Sequence, residues 1–172
     1  RVAAKAEKRR LAKLAEAKKQ RQAELARKKA EAKKQREAEA ARVAAKAEKK
    51  RLAEIARRKI EEKRGADFQK GLDAYDSGDY ATALRVWKPL AHQGLAEAQY
   101  FMGSMYDKGK GVPKDVKLAV KWYTLAAKQG DVDAQYSLGG MYDFGQGVPE
   151  DDKEAMKWYR LAAEQGDTDA QK

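Results

Sequence analysis

The sequence predicts an all-α protein in which one long basic helix is followed by an α-solenoid of helical hairpins. Residues 1–64 contain no Gly, Pro or aromatic residue, so nothing interrupts a helix there. Residues 65–172 carry all 13 Gly, all three Pro and every aromatic side chain. Within this second region a 36-residue stretch occurs twice, which is typical of a repeat array.

Charge divides the chain at the same place. Residues 1–64 hold 25 of the 38 Lys and Arg and 10 of the 27 acidic residues, a net charge of +15. Residues 65–172 hold the remaining 13 Lys and Arg and 17 acidic residues, a net charge of −4. The sequence therefore predicts two regions, 1–64 and 65–172.

The basic region is predicted to be helical because it consists of strong helix formers. Ala accounts for 18 of its 64 residues, and pairs such as Glu24–Lys28, Glu48–Arg51 and Glu54–Arg58 place opposite charges one helical turn apart. It also repeats itself, since RVAAKAEKRRLAKL at 1–14 returns as RVAAKAEKKRLAEI at 42–55. Its composition resembles the Ala/Lys/Glu-rich spacer helix of TolA-type envelope proteins.

The oligomeric state of this helix is left open by the sequence. Leu11, Leu14, Leu25 and Val43 fall within a sector of about 60° on a helical wheel. Lys18 interrupts the heptad that would continue this apolar seam. A solitary helix or loose coil, a coiled-coil oligomer and a disordered segment are all compatible with this pattern.

The repeat region begins with a shorter unit. Residues 98–133 align without gaps on residues 134–169 with 24 identities in 36 positions, and a shorter unit occupies 66–94. A further unit, truncated at the end of the given sequence, is expected after residue 169. The spacing of aromatic residues aligns Trp87 of the short unit with Trp122, and the short unit lacks the glycine-rich loop.

Each long unit is expected to form two helices. Helix A runs from about Ala98 to Tyr106, and the loop that ends in Val112-Pro113 cannot continue it. Asp115 is expected to cap helix B, and Gly130 to end it in the left-handed conformation. In the second copy, Asp151 and Glu154 have the spacing of a capping box. The side chains expected to face inward from helix B are Ala119, Trp122, Tyr123, Ala126 and Ala127.

The segments MYDKGKGVPKD, AVKWYTLAAKQG and GDVDAQYSLG resemble the Sel-one-like repeat (SLR), a relative of the tetratricopeptide repeat. The segment GLDAYDSGDYATAL is similar to a plain tetratricopeptide hairpin. The resemblance covers residues 66–172. It implies a right-handed solenoid that acts as an adaptor, often in bacterial envelopes or multiprotein complexes. A cysteine-rich branch of the family is associated with β-lactam binding, which is not carried over because this chain has no Cys.

No catalytic, metal or cofactor site is predicted. His92 aligns with Lys128 and Glu164, which indicates a solvent-facing position near the end of a helix. Gly109-Lys110-Gly111 is not a phosphate-binding loop, since no Ser or Thr follows the lysine. Two acidic pairs are expected to cap helices rather than bind calcium, because the spaced ligands of an EF-hand are absent. These are Asp131 with Asp133 and Asp167 with Asp169.

Positions that differ between the two copies predict the binding surface. Residues held by core packing match between the copies, whereas one face of helix A carries differences at a helical spacing. The resemblance implies that helix A lines the concave surface, where two exposed Phe would favour a groove for a partner. The predicted groove residues are Phe101, Ser104, Lys108, Ser137 and Phe144.

These observations together predict a non-enzymatic adaptor or structural component of a larger bacterial assembly. The solenoid would bind a protein partner, and the basic helix would act as a spacer or docking rod for which an acidic surface is a candidate partner. The alternative is that the basic helix binds a polyanion, either a nucleic acid or an anionic surface, although it has no aromatic residue to stack on bases. A bacterial cell envelope or periplasmic location is expected, with the cytoplasm as the alternative.

Overall fold

The computed structural model describes residues 2–166, which contain six α-helices and no strand. The all-α prediction is therefore confirmed. The helices are α1 (Val2–Asp76), α2 (Tyr80–His92), α3 (Ala96–Lys108), α4 (Val116–Lys128), α5 (Val132–Asp143) and α6 (Asp152–Glu164).

The long helix predicted from the composition is present, and α1 continues through Gly65 to Asp76. One glycine in a helix costs only about 1 kcal/mol, which the strong helix formers around Gly65 offset. The chain divides into two compact units between Arg58 and Lys59, slightly before the compositional boundary at residue 65.

The first unit is helical and solvated. Every described side chain from Val2 to Arg58 is exposed. Ion pairs along the helix include Glu24 with Lys28 at 2.6 Å and Arg27 with Glu31 at 3.2 Å. Such exposed pairs each contribute a few tenths of a kcal/mol, so intrinsic helix propensity is the larger stabilising factor.

The second unit contains three helical hairpins. The last turns of α1 pair with α2, α3 pairs with α4, and α5 pairs with α6. Helices α3 and α5 begin and end within two residues of the bounds predicted for helix A of their unit. The part of the prediction that falls on residues 167–172, including the capping role of Asp167 and Asp169 and the truncated unit, lies outside the described residues.

The predicted caps of helix B are confirmed at both of its ends. The Asp115 carboxylate accepts a hydrogen bond of 2.9 Å from the Leu118 backbone N–H, and Gly130 has a φ of +93°. Asp131 likewise caps α5 by accepting from the Ala134 N–H at 2.8 Å.

The capping box at α6 is only half formed. The Asp151 carboxylate accepts from the backbone N–H groups of Lys153 and Glu154. The Asp151 N–H, which a full capping box would pair with Glu154, donates instead to the Tyr142 carbonyl at 2.9 Å. The Glu154 carboxylate therefore pairs with Lys157 at 3.1 Å.

In each of the three hairpins, an aromatic ring from helix B packs directly against a glycine of helix A. A Cβ on Gly103 would lie 2.6 Å from the Tyr123 ring, and Gly139 has the same relation to Tyr159. In the first hairpin the ring that covers Gly71 belongs to Trp87. Trp87 is therefore the counterpart of Tyr123, in the same register that aligns His92 with Lys128. The alignment of Trp87 with Trp122 from the spacing of aromatic residues is wrong by one residue.

The tryptophans of helix B join neighbouring hairpins. The buried Trp122 packs with the core of the first hairpin, around Trp87 and Leu90. Trp158 packs in the same way with the core of the second hairpin. The inward orientation predicted for Ala119, Trp122 and Tyr123 is confirmed, since each is at most 9 % exposed.

Candidate functional site

The predicted groove lies on the helix-A face, which we define as the surface of α3, α5 and the last turns of α1. The five residues predicted to form the groove differ in their solvent exposure. Lys108 and Phe144 are exposed, Phe101 and Ser137 are half-buried, and Ser104 is buried.

Phe101 belongs to an aromatic cluster and is not an exposed docking residue. Its ring centroid lies 4.4 Å from that of Trp87, and the rings of Phe68, Tyr75 and Tyr100 are all within 5.8 Å. Ring pairs at this spacing contribute to stability beyond their buried area. The expectation that Phe101 is exposed is therefore wrong, because the first hairpin supplies three aromatic neighbours that no local pattern around Phe101 indicates.

Beside this cluster, Lys110 lies against two tyrosines. Its Nζ donates a hydrogen bond of 3.0 Å to the Tyr75 hydroxyl. The same atom lies 4.5 Å from the Tyr75 ring centroid and 5.2 Å from that of Tyr80. This position fits a cation–π interaction, so Lys110 links the glycine loop to the first hairpin.

The electrostatics of this contact favour the charged forms. The hydrogen bond to Tyr75 raises the pKa of Lys110. Burial raises the pKa of Tyr75, but the hydrogen bond from Lys110, the contact with Ser104 and the charge of Lys108 together hold it below its ordinary value. An anionic group from a partner would meet two lysines here, Lys108 and Lys110.

The two predicted serines meet at one buried tyrosine. Burial raises the pKa of Tyr123, while hydrogen bonding to Ser104 and Ser137 lowers it by less. Because Tyr123 comes from α4 while the serines come from α3 and α5, its hydroxyl connects neighbouring helices of the face. Ser104, at 3 % exposure, supports the face and does not form its outer surface.

Phe144 is the most exposed aromatic residue of the solenoid. It follows α5 directly as its C-cap, its backbone N–H bonds to the Gly140 carbonyl, and its side chain is 70 % exposed. Tyr136, two turns earlier on α5, is also exposed and lies 5.5 Å from the Tyr159 ring. The equivalent positions on α3 hold Lys108 and the half-buried Tyr100. Fold stability does not require an exposed Phe at this position.

The other residues considered for catalysis or metal binding, His92 and Asp131, lie at helix ends. His92 is exposed at the end of α2, with its ring 5.2 Å from that of Trp122. Asp131 caps α5, and burial raises the pKa of its carboxyl. No group of three or more metal-ligating side chains occurs among residues 2–166. In the same part of the chain, no helix combines the length and apolar character needed to cross a membrane.

Sequence reasoning missed Gly103, Gly139, Tyr75 and Lys110. A signal for the glycines was present, because both copies keep a Gly in the interior of helix A where Ala would be the better helix former. Tyr75 and Lys110 are 35 residues apart and belong to different units, so no local pattern could join them.

These features define a solenoid of helical hairpins with an exposed helix-A face, the architecture of an interaction scaffold. Residues 96–131 and 132–167 each match the family model described as Sel1 repeat. The resemblance to the Sel-one-like repeat is confirmed, since residues 96–167 match two such repeats. Sel1-repeat proteins are generally protein-interaction adaptors, and their fold is typically a non-catalytic scaffold.

Solved structures of SLR proteins are similar to this chain. A protective antigen of uropathogenic Escherichia coli with an SLR fold is 40 % identical, with a TM-score of 0.59, and the match covers 62 % of this chain and 24 % of the antigen. A Sel1 repeat protein from Oxalobacter formigenes is 38 % identical, with a TM-score of 0.58, over 63 % of this chain and 32 % of that protein. The chain thus spans a third or less of these two relatives.

A more distant structure shows the fold alone. The cysteine rich protein B of Helicobacter pylori is 22 % identical, with a TM-score of 0.51, over 63 % of this chain and 92 % of that protein. Among curated proteins, none matches this chain.

Proposed function

We propose that this protein is a non-enzymatic adaptor whose helix-A face binds a protein partner within a larger bacterial assembly. The observation that carries the proposal is Phe144, whose exposed ring contributes nothing to the core. Aromatic residues, Phe among them, are enriched in protein interfaces relative to the rest of the protein surface. Tyr136 and Lys108 extend the same face to either side, and the first unit serves as a spacer or docking rod.

Site-specific crosslinking tests this proposal. A photoreactive benzophenone amino acid replaces Phe144 or Tyr136 on the helix-A face, and Lys121 or Lys157 on exposed positions of helix B. The proposal expects one protein to be captured from positions 144 and 136 in the producing bacterium and not from positions 121 and 157. Equal capture from all four positions would contradict it.

Alanine variants separate binding from stability. Phe144→Ala is expected to abolish the crosslink made from position 136 while leaving the unfolding free energy almost unchanged. Phe101→Ala removes a ring from the aromatic cluster and is expected to cost about 3–5 kcal/mol. Denaturant titration followed by tryptophan fluorescence measures both variants. If Phe144→Ala destabilises as much as Phe101→Ala, Phe144 is a packing residue and the surface is misplaced.

A second candidate function rests on the charge of the first unit. Residues 1–58 contain 22 Lys and Arg against eight Glu, all on exposed side chains where described. Binding of this unit to a polyanion would lose affinity steeply with salt. Titration of a twenty-nucleotide oligo-dT at 50 and 200 mM salt measures this slope. A weak interaction that does not depend on salt would contradict polyanion binding as a function of the first unit.

We also propose a location in the bacterial cell envelope or periplasm, with the cytoplasm as the alternative. The support is the resemblance of residues 1–64 to TolA-type spacer helices. Fractionation of the producing bacterium with periplasmic and cytoplasmic marker proteins tests the location. Recovery with the cytoplasmic marker alone would contradict the proposal.

A further inference from the structure

A second surface, separate from the helix-A face, lies on the first hairpin. Residues 60–70 of α1 and the C-terminal half of α2 line an open groove of about 490 Å³. We call it the α1–α2 groove and define it by six of its lining residues: Ile60, Lys63, Arg64, Lys70, Arg85 and Val86.

The groove combines an apolar floor with a basic rim. Ile60 is 61 % exposed, Val86 is half-buried, and Leu90 lies beneath them in the core. The rim carries four cations against one carboxylate, that of Asp67, which leaves a local charge of +3. None of the four cations forms an ion pair with another residue in the described range 2–166.

In the groove, one side-chain donor has no hydrogen-bond partner and one backbone carbonyl lacks its usual helical donor. The Nε of Arg64 is shielded from solvent and has no hydrogen-bond partner within residues 2–166. A buried donor without a partner costs about 1–3 kcal/mol or more when it carries charge. On the facing helix, Pro89 has no N–H to donate to the Arg85 carbonyl four residues earlier.

We propose that the α1–α2 groove binds an acidic amphipathic helix from a partner protein. The lining residues of α1 recur from Ile60 to Lys70 along one face over about 15 Å, which is long enough for a bound helix with anchors at i, i+3, i+4 and i+7. Apolar anchors would cover Ile60 and Val86, and Glu or Asp on the flanks would pair with the four cations. A carboxylate of the partner, placed at the floor of the groove, would accept a hydrogen bond from the Nε–H of Arg64.

The apolar floor favours a peptide over a nucleic acid. Single-stranded nucleic acids bind through phosphate contacts and aromatic stacking, and the lining of this groove contains no aromatic residue. A second copy of the basic first unit is disfavoured because its charge has the same sign as the rim.

Because the chain has no Cys, a single introduced Cys can report binding at the groove in the full-length protein. Gln93→Cys places a fluorophore at the end of the groove, and Lys29→Cys places it on the first unit as a control. The probe is a synthetic peptide of Leu and Glu, with Leu at i, i+3, i+4 and i+7 and a quencher at one end. A scrambled isomer controls for charge alone.

The proposal expects saturable quenching at position 93 by the amphipathic peptide, with at least tenfold weaker binding of the scrambled isomer. Ile60→Asp, and separately Lys70→Glu with Arg85→Glu, should each weaken the binding at position 93 at least tenfold. The matched control, Lys88→Glu with Lys117→Glu, makes the same change in net charge outside the groove and should alter it less than twofold.

Three results would overturn the proposal. The first is an equal effect of the control pair, and the second is equal binding of the scrambled isomer, since either would show charge attraction without a site. The third is tighter quenching at position 93 by a quencher-labelled twenty-nucleotide oligo-dT, which would make the groove a nucleic-acid site. Circular dichroism and tryptophan fluorescence of every variant check that the fold is intact.

Discussion

At the scale of single residues, the repeat depends on glycines that admit an aromatic ring. Gly71, Gly103 and Gly139 lie in helix interiors, where glycine is unfavourable, and each is covered by a ring from the next helix. Gly65 differs, because nothing lies within 4 Å of the position that its Cβ would occupy. The same residue type therefore has opposite consequences at two positions of the chain.

Replacement of these glycines by alanine separates the two cases. Gly103→Ala is expected to destabilise the solenoid by about 1–3 kcal/mol, because the new Cβ would lie 2.6 Å from the Tyr123 ring. Gly65→Ala is expected to leave the solenoid unchanged or stabilise it by up to about 1 kcal/mol. Urea titration followed by tryptophan fluorescence reports on the second unit alone, since all Trp lie there. Equal effects of the two changes would show that Tyr123 moves aside without cost.

Buried tyrosines predict a loss of stability at alkaline pH. Burial raises the pKa of Tyr100, Tyr123 and Tyr159 above the value of 10.0 that applies in the unfolded chain. As the pH rises above about 10, the unfolded state therefore releases protons that the folded state retains, and the unfolding free energy falls. The lowered pKa of Tyr75 acts in the opposite direction for one group only.

Urea titrations between pH 9 and pH 11.5 measure this dependence. Tyr123→Phe is expected to make the fall shallower, by at most about 1.4 kcal/mol per pH unit. Tyr142→Phe serves as a control at a half-buried tyrosine. An unfolding free energy that stays constant or rises over this range would contradict the prediction.

At the scale of helices, a glutamine ladder joins successive hairpins. Gln99 is buried and donates from Nε2 to the Ala91 carbonyl at 3.0 Å, while its Oε1 accepts from Gln129 at 2.7 Å. Gln135 repeats the arrangement with Ala127 and Gln165 at 3.2 and 2.9 Å. Each buried amide therefore links the end of one helix B to the next hairpin, and both of its polar ends are used.

Removal of one ladder amide is expected to loosen the junction between hairpins. Gln135→Leu removes the side-chain donor to the Ala127 carbonyl, which keeps the Gly130 N–H, and removes the shorter of the two bonds that Gln165 donates, so it should cost about 0.5–1.5 kcal/mol. Gln146→Leu is the matched control, because Gln146 is exposed on the loop before α6. Thermal melts and hydrogen exchange at the α4–α5 junction measure the effect. Unchanged exchange in Gln135→Leu would show that solvent replaces the lost bonds.

Local features of the helices were predictable from the sequence, and contacts between distant units were not. The caps at Asp115 and Gly130 follow from residue chemistry within a few positions. The aromatic cluster around Phe101 and the contact between Lys110 and Tyr75 need residues from separate hairpins. The position of Trp87 opposite Tyr123 depends on Gly71, which has no side chain and leaves room for the ring, and the spacing of aromatic residues alone does not indicate this.

At the scale of the whole molecule, the two units gain stability from different sources. The second unit buries aromatic and apolar side chains between hairpins, so its unfolding should be cooperative. The first unit buries no side chain in its described residues and depends on helix propensity and exposed ion pairs. Helix formation without tertiary contacts is only weakly cooperative, so heating should melt it gradually.

The basic unit is expected to remain monomeric when it is isolated at low salt. Leu11, Leu14, Leu25 and Val43 share one sector of the helix and are each 55–62 % exposed, but basic residues such as Lys18 interrupt the seam between them. Association would bring together helices that each carry 22 cations and eight carboxylates. Their repulsion is strongest at low ionic strength and is screened over about 10 Å at 0.1 M salt.

Sedimentation equilibrium of a peptide covering residues 1–58, at micromolar concentration in 10 mM and 500 mM salt, measures its mass. Leu25→Lys is the matched variant, because it removes the central apolar residue of the seam. A stable dimer or trimer at 10 mM salt that Leu25→Lys dissociates would show that the four apolar residues suffice as a seam. Each assembly would then carry several solenoids, and binding would be strengthened by multivalency instead of by the reach of a single helix.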